Sequence, residues 1–214
     1  MTSITILGST GSIGCSTIDL LMAEPARYQV RVLVGGRNAA KLAEQALALR
    51  AEIAVIADAD ALPELARLLA GSGIEVAGGF TAVEQASALC VDWTMSAITG
   101  AAGLAPTLAA IRNGKAVALA NKEALVCAGD VMLRAVREAG ATLLPVDSEH
   151  NAIFQSMADG NKGSIEQITL TASGGPFRTS SIEEMEAAGI VGPLQSNGMR
   201  EVLVGPPPDD RDEE

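Results

Sequence analysis

The sequence predicts an α/β fold, a doubly wound parallel sheet, on three observations. Aromatic residues make up 2% of the 214-residue chain and hydrophobic residues 48%, so the core must be built from Ala, Val, Ile and Leu, as buried parallel strands and their covering helices usually are. Short β-rich runs alternate with Ala/Leu-rich stretches of helical spacing as far as about residue 147, the pattern of repeated βαβ units. The first β-rich run leads directly into Gly8-Ser9-Thr10-Gly11-Ser12-Ile13-Gly14, a glycine turn placed where a strand hands over to a helix.

Strands are expected near residues 3–7, 30–34, 53–57, 75–77, 92–97, 116–120 and 142–146. Helical spacing covers 39–49, 62–70, 103–112 and 123–139, and Gly140 is a natural C-terminal stop. Residues 1–146 then form a Rossmann-like domain. Asp147 to Ala158 reads as a strand end turning into a helix, and Ile165 to Thr171 alternates like a strand of a different, partly solvated sheet. Residues 147–186 are therefore expected to begin an α+β catalytic domain. After Met185 the pattern dissolves, and 187–214, ending in GPPPDDRDEE, offers too little apolar surface to offset its ordering entropy, so a disordered tail is expected.

A net charge of −11 speaks against nucleic acid or an anionic membrane as partner, since either calls for a basic surface. Small molecules are favoured. Cys15, Cys90 and Cys127 are widely spaced with no Cys-x-x-Cys pair, which suits a reducing compartment and makes neither a disulfide nor a zinc framework. There is no basic segment leading an apolar one at the N-terminus, and no apolar run of membrane-spanning length. A soluble, cytoplasmic protein is the expectation.

The glycine turn has G-x-x-G-x-x-G spacing rather than G-x-G-x-x-G. Its strand-loop-helix setting suits a dinucleotide pyrophosphate against free helix N–H groups, although a glycine-rich turn also serves an ordinary strand-to-helix connection. Where NAD enzymes place an acidic residue for the ribose hydroxyl, this chain has Gly35-Gly36-Arg37-Asn38. A guanidinium there pairs with a 2′-phosphate, so NADP is favoured. The plainer alternatives are Arg37 as a solvated loop charge and Asn38 as the N-cap of the next helix. Thr99-Gly100-Ala101-Ala102-Gly103 admits the close approach of a flat ring, or is a tight turn.

Chemistry-bearing residues follow two later strands. Asn121 is a good N-cap and Glu123 complements a helix dipole, but Lys122 puts a cation in a first turn, which an anion nearby would explain: substrate, cofactor or carboxylate. Asp147-Ser148-Glu149-His150 follows strand 142–146. In extended geometry Asp147 and Glu149 share a side, and two hard carboxylates suit Mg²⁺ or Mn²⁺. A capping cluster at a helix start explains the same residues. His150, the only histidine, is a general acid or base, or part of that cap. Thr171 to Arg178 carries Ser173 and two glycines, a cradle for phosphate or a glycine-proline turn.

Taken in order, GSTGSIG, GRN, GAAGL, ANKE, LLPVDSEHNAIFQ and LTASGGPFR closely resemble the 1-deoxy-D-xylulose 5-phosphate reductoisomerase family, over positions 1 to about 186. The resemblance implies an oxidoreductase and isomerase of non-mevalonate isoprenoid biosynthesis. It converts 1-deoxy-D-xylulose 5-phosphate to 2-C-methyl-D-erythritol 4-phosphate, using NADPH and Mg²⁺ or Mn²⁺, commonly as a homodimer. It further implies that Thr10, Gly11, Ser12, Ile13, Gly36, Arg37, Asn38, Asn121 and Glu123 serve NADPH. Lys122, Ser148, Glu149 and Ser173 would meet the sugar phosphate, Asp147 and Glu149 would hold the metal, and Lys122, Glu149 and His150 would be catalytic. The later segment expected of the family, which supplies a histidine, a further serine and an Asn-Lys-Gly-x-Glu stretch, is not found after LTASGGPFR. The chain is accordingly read as truncated, with weak or absent turnover, and the alternative function is an inactive NADP-binding module. A short-chain dehydrogenase fails as a rival, because Tyr28 is followed four residues later by Val32 rather than Lys.

Overall fold

The computed structural model describes residues 1–157, 162–168, 179–196, 198, 200, 201 and 203. The chain divides into two compact units, Met1–Ser164 and Ile165–Glu214.

The first unit is built on seven strands: β1 (Thr2–Leu7), β2 (Tyr28–Gly35), β3 (Ile53–Ile56), β4 (Glu75–Gly78), β5 (Trp93–Ser96), β6 (Ala116–Leu119) and β7 (Thr142–Pro145). Each expected strand is present. All pairings are parallel, and the order is β4-β3-β2-β1-β5-β6-β7, so the winding direction reverses between β1 and β5. The connecting helices are α1 (Ser12–Ala23), α2 (Ala39–Leu49), α3 (Leu62–Leu68), α4 (Phe80–Ser87), α5 (Leu104–Asn113) and α6 (Lys122–Ala139), and α7 (Ser148–Ser156) follows β7.

Side-chain alternation sorts the core into two faces. Ile4, Ile6, Leu33, Ala54 and Ile56 pack with Ile18, Leu21, Leu42, Ala46 and Leu65, so α1, α2 and α3 cover one face. On the other, Leu7, Val32, Val34 and Val55 meet Val83 and Ala86 of α4, while Val117 and Leu119 meet Ile111 of α5 and Met132 of α6. Ile6 and Leu33 are fully buried, and each such side chain contributes about 1.5–3 kcal/mol of apolar burial. Gly140 ends α6 in the left-handed region at φ 63°, as its position in the sequence predicts. Cys15, Cys90 and Cys127 are all free thiols. Among the described residues no helix is long and apolar enough to cross a membrane.

In the second unit Ile165–Ile168 lie in no strand, against the alternation that predicts one at 165–171. A period of two becomes a strand only where a neighbour takes up the backbone hydrogen bonds. Residues 169–171 lie outside the described residues, as does 204–214 of the expected tail. A short helix α8 (Ile182–Ala187) opens on a capping box between Ser181 and Glu184, a signal the sequence carries as Ser-x-x-Glu. Beyond it Gly192 donates to the Glu201 carbonyl at 2.7 Å and Leu203 to that of Ile190 at 2.9 Å, so this part of the segment makes specific backbone hydrogen bonds.

At the N-terminal edge of the sheet, the Asp92 carboxylate accepts from the Ser3 N–H and hydroxyl, both at 2.9 Å, and pairs with Lys115 Nζ at 3.3 Å. The two Ser3 donors, with Lys115 beside them, hold its pKa down at about 2 against an ordinary 3.8. A folded-state pKa below the unfolded one contributes stability above the unfolded value and loses it as pH falls through the folded one. Asp92→Asn should therefore lower the urea midpoint at pH 7, and the gap to the parent chain should close between about pH 4 and 2. A gap independent of pH in denaturation curves would refute the assignment.

Candidate functional site

Register decides where the loops emerge. Leu7 pairs with Ser96, Ser96 with Leu119, and Leu119 with Pro145, so the segments after β1, β5, β6 and β7 leave the sheet at one level, and β2 ends beside them. Every motif singled out in the first unit lies at this C-terminal edge, flanking the β1/β5 reversal, where ligands of open α/β sheets bind.

The glycine turn is tightly packed. Gly8 has φ +86° and a Cβ there would sit 2.6 Å from the Ala97 carbonyl oxygen; a Cβ on Gly14 would sit 2.3 Å from that of Gly8. These two glycines serve the protein's own packing. Gly11 is the N-cap of α1 and provides no side-chain cap, so the N–H groups of Ser12 and Ile13 have no intrahelical acceptor and lie at the positive end of the helix dipole. Thr10, Gly11, Ser12 and Ile13 thus stand together at an anion-receptive turn. Gly36 differs from Gly8 and Gly14, because a Cβ there would meet nothing within 4 Å. The protein does not need glycine at this place for its own packing, and close approach of a ligand is a reason to keep one.

Arg37 is exposed. The Asn38 side chain accepts the Lys41 N–H at 3.0 Å, which makes it the N-cap of α2, the plainer of its two readings. Two residues of α2 that escaped the sequence analysis grip the glycine turn. Lys41 Nζ donates to the Thr10 carbonyl at 3.1 Å and Gln45 Nε2 to the Ser9 carbonyl at 3.0 Å. The signal was available: Gln45 is a polar residue set among Leu42, Ala43 and Ala46 on the buried stripe of its helix.

Asn121 is 2% exposed. Its carbonyl oxygen accepts the Ala124 N–H at 3.3 Å, capping α6, and its amide donates to the Gly100 carbonyl at 3.0 Å. A Cβ on Gly103 would lie 2.4 Å from the Asn121 amide nitrogen. The loop after β5 is thereby locked to the loop after β6. Thr107 extends the lock, donating to the Gly103 carbonyl and lying 2.6 Å from the Ser96 hydroxyl. Glu123 is exposed in the first turn of α6.

The anion beside Lys122 is a carboxylate: its Nζ lies 3.6 Å from Glu149 Oε2. The expected extended geometry for 147–149 is not what forms. Asp147 is the N-cap, and Ser148 and Glu149 already belong to the first turn of α7. The side-sharing of Asp147 and Glu149 therefore cannot rest on strand alternation, because helical dihedrals begin at Ser148. The Asp147 carboxylate accepts the His150 N–H at 3.1 Å and meets His150 Nδ1 at 2.6 Å. Burial pushes the Asp147 carboxyl up, but the hydrogen bonds from His150 and the charges of His150 and Lys122 outweigh it, and its pKa falls below the ordinary value. It is ionised at neutral pH. With Nδ1 turned to Asp147, the His150 ring leaves Nε2 as its outer nitrogen. Ser148 is exposed beside it. Among the described residues no cluster of three or more metal-ligating side chains forms, so Asp147 and Glu149 are at most part of an ion's ligand set. Ser173 lies outside the described residues.

Comparison with known proteins places these features in context. A family model described as 1-deoxy-D-xylulose 5-phosphate reductoisomerase matches residues 4–129, and one described as the C-terminal domain of that enzyme matches residues 143–194. The 1-deoxy-D-xylulose 5-phosphate reductoisomerase of Gluconobacter oxydans is 70% identical over 185 residues, covering 86% of this chain and 45% of that relative. The chain spans about half the length of the curated relatives it matches. Among solved structures, the reductoisomerase from Zymomonas mobilis in complex with NADPH aligns with TM-score 0.80 and 52% identity, over 88% of this chain and 51% of that one. A reductoisomerase in complex with NADPH, fosmidomycin and magnesium aligns with TM-score 0.76 and 36% identity, over 89% of this chain and 50% of that one.

The packing of the turn is testable without any ligand. Gly14→Ala forces a methyl against the Gly8 carbonyl and should destabilise the chain by about 1–3 kcal/mol. Gly36→Ala, facing open space, should change the unfolding free energy by less than about 0.5 kcal/mol. Equal effects of the two in denaturant titrations would contradict the division of labour between these glycines.

Proposed function

The chain belongs to the 1-deoxy-D-xylulose 5-phosphate reductoisomerase family, and from that membership we propose that it provides the NADPH-binding half, and the first metal- and substrate-facing residues, of the enzyme converting 1-deoxy-D-xylulose 5-phosphate to 2-C-methyl-D-erythritol 4-phosphate. The observation that carries this reading is the common level at which the glycine turn, Gly36-Arg37-Asn38, the loop after β5 and the starts of α6 and α7 emerge around the β1/β5 reversal. In this proposal residues 1–146 form the cofactor domain and 147–186 begin the catalytic one.

The donor set suits the groups it would take. Uncapped N–H groups at the start of α1 donate to pyrophosphate oxygens. The exposed Arg37 pairs with a ribose 2′-phosphate, which a planar fork of donors fits well. Asn121 acts through the two loops it ties together. Asp147, ionised at neutral pH, and Glu149 are hard oxygen donors of the kind Mg²⁺ or Mn²⁺ prefers. Bound NADPH would supply hydride for the reduction, and a bound divalent ion would supply Lewis acidity toward adjacent substrate oxygens. Lys122, 3.6 Å from Glu149, would offer its ammonium to the anionic oxygens of the substrate. Ser148 and Ser173 would hold the sugar phosphate by hydroxyl donation. His150, steadied by Asp147, would present Nε2 for proton exchange.

A second reading, a cofactor-binding module without turnover, is favoured by one observation: among the described residues no group of three or more His, Cys, Asp or Glu side chains comes together to hold a metal ion. The two are separated by titrating the chain with NADPH while following NADPH oxidation with 1-deoxy-D-xylulose 5-phosphate and Mn²⁺. Binding with turnover supports the enzyme, binding alone supports the module, and failure to bind NADPH removes the cofactor reading. Arg37→Asp should weaken NADPH at least tenfold while NADH is spared or gains. An unchanged preference in the same titration would remove the 2′-phosphate from Arg37.

A further inference from the structure

The two α2 residues that reach the glycine turn stand one helical turn apart on one face. The geometry points to α2 as a bracket for that turn, with Gln45 and Lys41 as positioning residues that fix which way its peptide groups face; this rests on the dinucleotide reading of the site.

Gln45 is 8% exposed. Its amide nitrogen donates to the Ser9 carbonyl, and Cys15 Sγ, 3.6 Å away, approaches the same oxygen. Its own carbonyl oxygen is buried with no partner among the described residues. An amide half-satisfied in the core is a poorer packing element than an apolar chain of the same length. Filling space therefore does not account for it, whereas the donor it aims at Ser9 does. Lys41 is half-buried and sits in the first turn of α2, where the helix dipole opposes a cation. Its ammonium is satisfied instead by the Thr10 carbonyl.

The consequence follows from the planar trans peptide, in which C=O and the next N–H point in opposite directions. Drawing the Ser9 carbonyl toward α2 turns the Thr10 N–H away from it, toward the open side of the turn. Drawing the Thr10 carbonyl toward Lys41 likewise turns the Gly11 N–H away, where the Gly8 carbonyl accepts it at 3.1 Å. Both carbonyl oxygens are thus withdrawn from the place a pyrophosphate would occupy, and their repulsion is removed before a ligand arrives. Because Arg37 and Asn38 precede the same helix, α2 links the adenosine end of the site to its pyrophosphate end.

The test compares NADPH with adenosine 2′-monophosphate, which carries the 2′-phosphate but no pyrophosphate. Gln45→Met and Lys41→Met should each bind NADPH about tenfold more weakly by fluorescence titration, and Lys41→Arg should restore it. Affinity for adenosine 2′-monophosphate, read by ligand-observed NMR, should stay within about twofold of the parent. NADPH binding unchanged in folded variants overturns the bracket, and so does an equal loss for both ligands, which would mark a general collapse of the site. Should Gln45→Met fail to fold, the half-buried Lys41 and its Met and Arg variants decide the matter. A parent chain that binds no NADPH removes the cofactor reading and this inference with it, whereas a binding parent matched by its variants removes the inference alone.

Discussion

Everything in the first unit depends on the parallel register that ends β1, β5, β6 and β7 at one level. Parallel pairing without a slip at these ends places Gly8, Ala97, Ala120 and Val146 side by side, each donating one more ladder hydrogen bond before the chain turns away. The crowding this produces is why Gly8 and Gly14 admit no Cβ, and why Gly103 sits against Asn121. Backbone closeness at the edge and the receptivity of the edge to a ligand have one cause. The loop carbonyls there are tied down: those of Ser9, Thr10 and Gly100 accept from the side chains of Gln45, Lys41 and Asn121, and that of Gly8 accepts the Gly11 N–H.

The electrostatics are local rather than global. A chain of net charge −11 is a poor candidate for attracting polyanions at long range, yet its C-terminal sheet edge concentrates Arg37, Lys41, Lys122 and the positive ends of α1, α2, α6 and α7. Salt screens the distant acidic residues within about 10 Å, while helix ends and cations within the crevice act at contact distance. Lys122 shows the economy of such a site: its charge is met by Glu149 rather than left bare.

How much of this was legible in the sequence varies by element. The seven strands were, because a doubly covered parallel strand must be apolar on both faces, and runs such as Ile53–Ile56 or Ala116–Leu119 have no other reading between two amphipathic helices. The glycine turn and the ANKE and DSEH segments were also visible, since each falls where a strand gives way to a helix. The fine geometry was not. The sequence leaves Asp147 and Glu149 open between an extended pair and a capping cluster, because a capping Asp and a strand-end Asp look alike until the following dihedrals are known; Asp147 is the N-cap and the helix begins one residue later. Gln45 and Lys41 were missed because their partners are backbone carbonyls 36 and 31 positions away, and a carbonyl has no signature in sequence. At 165–168, which lie in no strand, alternation alone does not supply the pairing partner a strand needs.

The most direct test of the central claim is to map NADPH onto the chain by amide chemical shifts. The first unit contains a rival site, an apolar cavity of about 620 Å³ lined by Met1, Leu21, Tyr28, Val30 and Arg50 near the N-terminal ends of β1 and β2. If the register creates the cofactor site, the amides of Thr10, Gly11, Ser12, Ile13, Gly36, Arg37 and Asn38 shift on titration, while those lining the cavity do not. Shifts gathered around Tyr28 and Arg50, with the glycine turn silent, would contradict the account.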